Sequence, residues 1–313
     1  MQTVYTGKKA MKKFLLIIWN FIFDTKVKIA DAVRRCSDCF YRRFHKPPEV
    51  MSNPETIEYI INNRCSVSRF GDAEIKLAAG TDVSYQNAVP ELVSKLRRVL
   101  SSGEPRLLVC LPNAFESLEH FVEGDGLYWK KHLARYRKYW YRYTDKNKVY
   151  GNAFISRCYM CFNEKDKAGY YFKALKKIWN GRDIVLVEGD KSRLGVGNDL
   201  FENARSVRRI LGPSAFAFAQ YGRMLAEVRK LEKSALIILA MGPVATVMPY
   251  DLLADGYQAV DLGNIDTEYE WYLRGCTKKT PIENKMVYEA GAGEGVGELT
   301  DTAYQSQIIA RII

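Results

Sequence analysis

The chain has 313 residues, 47% hydrophobic and 27% charged, which excludes a disordered or fibrous protein and allows one large domain or two small ones. Its formal charge of +11 is uneven: residues 1–50 carry 11 Lys/Arg against 4 Asp/Glu, leaving 36 against 32 over the remaining 263. The basic excess is largely a property of the N-terminal arm. Three histidines, none in a triad or HExxH setting, argue against histidine-centred catalysis, and seven scattered cysteines suit reduced thiols better than a disulfide framework.

Residues 1–50 form the arm. Phe14 to Phe23, FLLIIWNFIF, is preceded by Lys8, Lys9, Lys12 and Lys13 and followed by Lys26, Lys28, Arg34 and Arg35. This core is far shorter than the roughly 20 residues of a spanning helix. Asp24, Lys26 and Lys28 separate it from Ala30-Asp31-Ala32, which argues against a cleaved secretory signal. An apolar core between basic flanks predicts a helix over residues 8–35 lying at an anionic membrane surface, or one packed on the main domain or a partner subunit. Pro47-Pro48 marks the boundary to a second region, 51–313. Cys36-x-x-Cys39 and Cys158-x-x-Cys161 lie too far apart in the chain to favour zinc.

The second region alternates. A helix over Glu55 to Asn63 leads to a strand entering Ser66 to Glu74, where Arg69, Asp72 and Glu74 stand together at the strand end. Two carboxylates one residue apart on a turn are able to converge on magnesium or manganese, although such pairs are more often solvated. Leu92, Leu96 and Val99 give Glu91 to Leu100 a helical spacing, and Leu107 to Leu111 reads as a buried strand. Trp129 to Tyr150 interleaves cations with aromatic rings. Without an RNP, KH or zinc-finger signature it reads as a partly exposed helix facing an acceptor or lipid, and a nucleic-acid partner is disfavoured.

Asp183 to Leu211 predicts strand, loop and helix, with Ile184 to Val187 as the strand. Gly189, Gly195 and Gly197 allow close backbone approach, Lys191 and Arg193 supply cations, and Asn198 or Asp199 would cap the helix. A phosphate is the expected ligand. Ala235 to Met241 and Gln258 to Leu262 predict two more strands. The first is closed by Gly242-Pro243 and a helix to Ala254; the second delivers Asp266, Glu268 and Glu270. If that acidic segment is extended, its carboxylates share one face, and if it is helical, Asp266 and Glu270 align. A carboxylate there is a candidate general base.

SRFGDAE from Ser68, GNAFISR from Gly151, VEGDKSRLGVGNDLF from Val187, MGPVATVMPYDL from Met241 and DLGNIDTEYEWY from Asp261 occur together and in this order. Over residues 55–290 the chain resembles the bacterial GT-D type glycosyltransferases. The resemblance implies a Rossmann-like α/β fold with a mostly parallel sheet flanked by helices. It implies a nucleotide-sugar donor, with UDP-hexose preferred here, a divalent metal on Asp72 and Glu74, and a growing surface glycan or glycoprotein as acceptor. Arg69, Gly71, Glu188, Lys191, Arg193, Gly195, Gly197, Asn198 and Gly242 are then expected around the donor, with Asp266 or Glu268 as base. Asn264 departs from the His that many relatives carry after this Gly. The expected location is cytoplasmic, peripheral at the inner membrane face, with homo-oligomerisation left open. A dinucleotide oxidoreductase is the competing enzyme class, opposed by the lack of GxGxxG after a strand. A basic membrane- or nucleic-acid-binding module with a degenerate site is the third reading.

Overall fold

The computed structural model describes residues 2–291, 293 and 295–313, with side chains from residue 16 onward except at 17. The side chains of Lys8, Lys9, Lys12, Lys13 and Phe14 lie outside the described residues.

In chain order the elements are α1 (Gln2–Phe44), β1 (Glu49–Val50), α2 (Asn53–Asn63), β2 (Ser66–Arg69), α3 (Asp72–Ala78), α4 (Pro90–Leu100) and β3 (Leu107–Leu111). There follow α5 (Glu123–Tyr143), β4 (Val149–Asn152), α6 (Ala168–Leu175), β5 (Asp183–Gly189), β6 (Ser206–Gly212), α7 (Tyr221–Val228) and β7 (Leu236–Ala240). The last are α8 (Pro243–Leu253), β8 (Gln258–Asp261), α9 (Ile265–Leu273), α10 (Thr302–Gln307) and β9 (Ile308–Arg311). The strands form one sheet of nine in the order β1-β4-β3-β2-β8-β7-β5-β6-β9, and every pairing is parallel.

A parallel sheet needs both faces covered, and the strand alternation supplies two apolar faces. Val185 and Val187 join one core cluster with α4, α7 and α8, while Ile184 and Leu186 join another with α2, α6 and α9. The α4 stripe shows why these segments are helices. Pro90 opens it, and Leu92, Leu96, Val99 and Leu100 are each at most 1% exposed. Each such side chain contributes about 1.5–3 kcal/mol on burial. Ser52 and Glu55 close a capping box that starts α2.

Three expectations change. The segment after β5 is not a helix: residues 190–205 are turns, and Ser206–Gly212 is a strand between β5 and β9. Leu200, Ala204, Val207 and Leu211 mimic a helical stripe, but the buried ladder to β5 overrides it. The aromatic-basic helix begins at Glu123 and ends at Tyr143; Trp129, Tyr136 and Trp140 are core residues, and Tyr150 is buried in β4. The arm is one 43-residue helix rather than a short one, and its C-terminal half leans on α5 through an ion pair of Asp38 with Arg137 and a Tyr41–Tyr141 ring contact. Among the described residues, no helix is long and apolar enough to cross a membrane.

Candidate active site

Loops from the C-terminal ends of β2 through β8 meet around one cavity of about 770 Å³. Crevices at strand C-termini are where open α/β sheets take ligands, because chain directions diverge there and helix N-termini point in. Arg69 to Glu74 comes from β2, Ala153 and Arg157 from β4, and Gly189 from β5. Ser214 follows β6, Gly242 follows β7, and Asp261 to Thr267 follows β8.

Asp72 and Glu74 sit in the first turn of α3, not on a loop. Positions i and i+2 do not face each other on a helix. Glu74 therefore folds back, its Oε2 accepting from Gly71 N–H at 2.7 Å, while Asp72 Oδ2 accepts from Lys76 Nζ at 2.6 Å and from the Tyr128 hydroxyl. Burial opposes the Asp72 charge, but Lys76 and Tyr128 more than offset it and hold its carboxyl below the usual value. Burial, helped by the Asp72 charge, pushes Glu74 up to about 7. Each carboxylate keeps one oxygen that accepts no hydrogen bond from the described residues. Both carboxylates line the cavity, and their free oxygens are the hard donors that would hold a divalent cation. Among the described residues no third His, Cys, Asp or Glu joins them, so water and a bound phosphate would complete the shell.

Gly242, as expected, lines the cavity. It caps α8 with φ +50° and ψ −139°, a conformation that excludes other residues without strain, and Pro243 and Thr246 of the first turn of α8 line the cavity beside it. Gly71 also lines it. Arg69 lines it too, but all its side-chain nitrogens are engaged: Nε with Asp261 O at 2.9 Å, Nη1 with Ala153 O at 2.9 Å and Nη2 with Asp261 Oδ1 at 3.0 Å. Arg69 is a bolt between β2 and β8. Gly263 permits it, since a Cβ there would stand 2.0 Å from Nη2.

The remaining expected donor contacts are corrected. Glu188 is fully buried and bonded to Arg209 and to Leu194 N–H, so it braces the loop after β5 from inside. Arg193 is 4% exposed and points to the carbonyls of Asn284 and Gly297. Lys191 gives its carbonyl to Met286 N–H at 2.8 Å and does not line the cavity. Gly195 N–H and Asn198 Nδ2 both donate to Asp266, and Gly197 lies on a separate small surface hollow. Residues 191–193 of the motif thus clasp the C-terminal strap, residues 274–300, while Gly189, Ser192 and Leu194 are its part in the cavity lining.

The two expected bases also move. Asp266 touches the cavity, but its oxygens already accept from Gly195, Asn198 and Lys285. α9 is helical, so Asp266 and Glu270 align, and both take Lys285 and Asn198. Glu268 is fully buried away from the cavity, where Oε2 accepts from Tyr159 and Met160 N–H. Burial pushes its carboxyl up despite Arg157 and those two donors.

Sequence reasoning passed over the cavity's working charges. Lys279 Nζ lies 3.2 Å from Glu289 and 3.7 Å from Asp125, and Arg157 pairs with Glu289, which also accepts from Asn264. Burial opposes the Glu289 charge, yet Arg157 and Lys279 hold its carboxyl down at about 2. Tyr85 and Tyr288 form an aromatic wall, ring centroids 5.1 Å apart. Of these residues, Arg157 and Asn264 fall within the quoted GNAFISR and DLGNIDTEYEWY segments, and the rest carry no local signal.

A nine-stranded parallel sheet with one cavity at its strand ends defines an α/β protein of the nucleotide-binding architecture. The family model for the glycosyltransferase GT-D fold matches residues 67–290, and the chain belongs to that family. The chain is 40% identical over 85% of its length to "Glycosyltransferase GlyD" of Streptococcus pneumoniae serotype 4, covering 33% of that protein. It is 38% identical over 84% of its length to "Probable glycosyl transferase Gly" of Streptococcus gordonii, covering 39% of that one. It therefore spans about a third of the length of these curated relatives. A solved structure described as "The highly conserved domain of unknown function 1792 has a distinct glycosyltransferase fold" superposes with a TM-score of 0.82 at 40% identity, covering 85% of this chain and 96% of that one. Another, "A New Glycosyltransferase (DUF1792) from Streptococcus sanguinis", gives 0.82 at 37% identity, covering 85% of this chain and all of that one.

Proposed function

We propose that this chain transfers a hexose from a UDP-hexose to a growing surface glycan or glycoprotein, with manganese or magnesium held by Asp72 and Glu74. The observation that carries the reading is the convergence of that carboxylate pair and the N-terminus of α8 on one cavity, in a member of a glycosyltransferase family. The diphosphate would lie at α8, where the helix dipole and the Val244 N–H favour negative charge, Pro243 having no N–H and Ala245 N–H donating to Gly242 O. Tyr85 and Tyr288 offer faces for the base. When bound, the metal supplies charge neutralisation for the departing diphosphate.

Arg157 and Lys279 add positive potential as the glycosidic C–O bond breaks and the nucleoside diphosphate leaves. Asp125 takes the proton of the acceptor hydroxyl as the new C–O bond forms. Outside the Asp72–Glu74 pair it is the cavity carboxylate whose oxygens accept no hydrogen bond among the described residues, Lys279 Nζ standing at 3.7 Å, beyond hydrogen-bond reach. The acceptor is taken to be membrane-borne, with residues 8–35 bringing a cytoplasmic enzyme to the inner membrane face. The test is UDP release from a panel of UDP-hexoses with manganese or with chelator. Manganese-dependent release from one donor is expected; equal release with chelator rejects the metal, and no release from any UDP-sugar rejects the donor class.

A further inference from the structure

The arm helix is unevenly covered. Ala30, Asp31, Arg34, Ser37, Asp38 and Tyr41 are partly buried on the side that meets α5. At ~100° per residue, Ile18, Ile22, Ile29, Val33, Phe40 and Phe44 fall within about 80° of one another on a different side. All six are exposed, from 40% at Ile18 to 69% at Phe44. Near the N-terminal end of the described side chains the helix is apolar around most of its girth, with Trp19 60% and Phe21 72% exposed.

The charges choose the occupant. Asp24, Asp31 and Asp38 recur every seventh residue on the side opposite the stripe, which Lys28, Arg35 and Arg42 share, whereas Lys26 and Arg43 flank the stripe. Residues 16–44 carry six Lys/Arg against three Asp, so a second copy laid on this stripe would set one net-positive arm against another. An anionic lipid surface would accept both the cations and the rings. The helix is not apolar enough to cross a bilayer.

We propose that the Ile18-to-Phe44 stripe of α1 docks in the plane of an anionic bilayer interface, with Ile18, Ile22 and the adjoining Trp19 seated among the acyl chains. The other side of α1 bonds to α5 through Asp38 and Arg137, and α5 carries Asp125 and Tyr128 into the cavity. Docking then fixes the acceptor wall of the cavity relative to the lipid surface, and the acceptor is a lipid-linked glycan. That last clause rests on the transferase reading; the docking surface does not.

The test is flotation of the full chain with phosphatidylcholine vesicles and with mixed phosphatidylglycerol–phosphatidylcholine vesicles, beside light scattering for oligomeric state. Binding is expected to the anionic vesicles, weakened by salt. Lys26→Ala with Arg43→Ala should weaken it about 25-fold. Trp19→Ser with Ile22→Ser should weaken it at least about 10-fold. Asp24→Asn, on the opposite side, should leave it intact. All these sites are solvent-exposed, so an unchanged melting temperature certifies the fold. Absence of vesicle binding, binding equal for both lipids, or a dimer dissolved by Val33→Glu without vesicle binding each overturns the proposal. UDP-induced thermal stabilisation of the same variants tracks the transferase reading separately, because these substitutions lie outside the cavity.

Discussion

Arg209→Met should cost this protein about 3–5 kcal/mol of stability while leaving its donor site intact. The magnitude follows from burial. Glu188 is 0% and Arg209 3% exposed, so removing the guanidinium strands a carboxylate in the interior. It also removes the Arg209 bonds to Leu194 O at 2.9 Å and Gln307 Oε1 at 2.7 Å. Burial already pushes the Glu188 carboxyl up even with Arg209 beside it. Glu188→Gln should be costly for the converse reason, leaving the Arg209 charge without its counter-ion. The double variant Glu188→Gln/Arg209→Met should recover part of the loss, because a neutral pair no longer needs neutralising. Urea melts of the four proteins give the coupling, and donor KM measured well below the melting temperature gives the functional half. Single variants costing under about 1 kcal/mol, or Glu188→Gln raising donor KM without loss of stability, would refute the reasoning and restore Glu188 to the donor site.

Three other outcomes are expected. Burial pushes His132 from its ordinary 6.5 down to about 4, more than the Asp72 charge restores. The unfolded chain therefore binds a proton in that window that the folded chain refuses, and stability falls by about 3 kcal/mol as pH drops from 6.5 to 4. His132→Gln should flatten that part of a pH–stability profile, and an unchanged slope contradicts the assignment. Asp125→Asn should lower kcat by about 10²–10⁴-fold with donor KM nearly unchanged, read by UDP release; full activity removes it as base. Gly242→Ala should weaken UDP binding at least about 10-fold in calorimetry by straining the backbone at the head of α8, and wild-type affinity would remove that turn from the phosphate site.

The sheet was legible because its strands are short, continuous apolar runs. Leu107–Leu111 and Leu236–Ala240 match their expected spans nearly residue for residue. The element after β5 was not legible, since Leu200 to Leu211 carries a helical period that only the pairing with β5 and β9 overrules. In the site, Asp72, Glu74 and Gly242 were findable because each stands within a few residues of a strand end. Lys191 and Arg193 carry the right charge at a similar place, yet the Arg193 guanidinium serves the strap and Lys191 meets it through its backbone carbonyl. Nothing local distinguishes a cation that meets a ligand from one that meets Asn284 O, 91 residues away. Asp125, Lys279 and Glu289 are brought together from α5 and the strap by tertiary structure alone.

The most direct test of the central claim is a thermal-shift titration with UDP, GDP, CMP and NAD, each with and without manganese, on the wild type and on Asp72→Asn. A ligand bound only by the folded chain adds about 2.7 kcal/mol at a hundred times its Kd. The wild type should be stabilised by UDP in manganese and much less without it, and Asp72→Asn should lose the manganese dependence while melting normally on its own. Stabilisation by NAD and not UDP, or a UDP response indifferent to manganese and to Asp72, would contradict a metal-assisted UDP-sugar transferase built on this cavity.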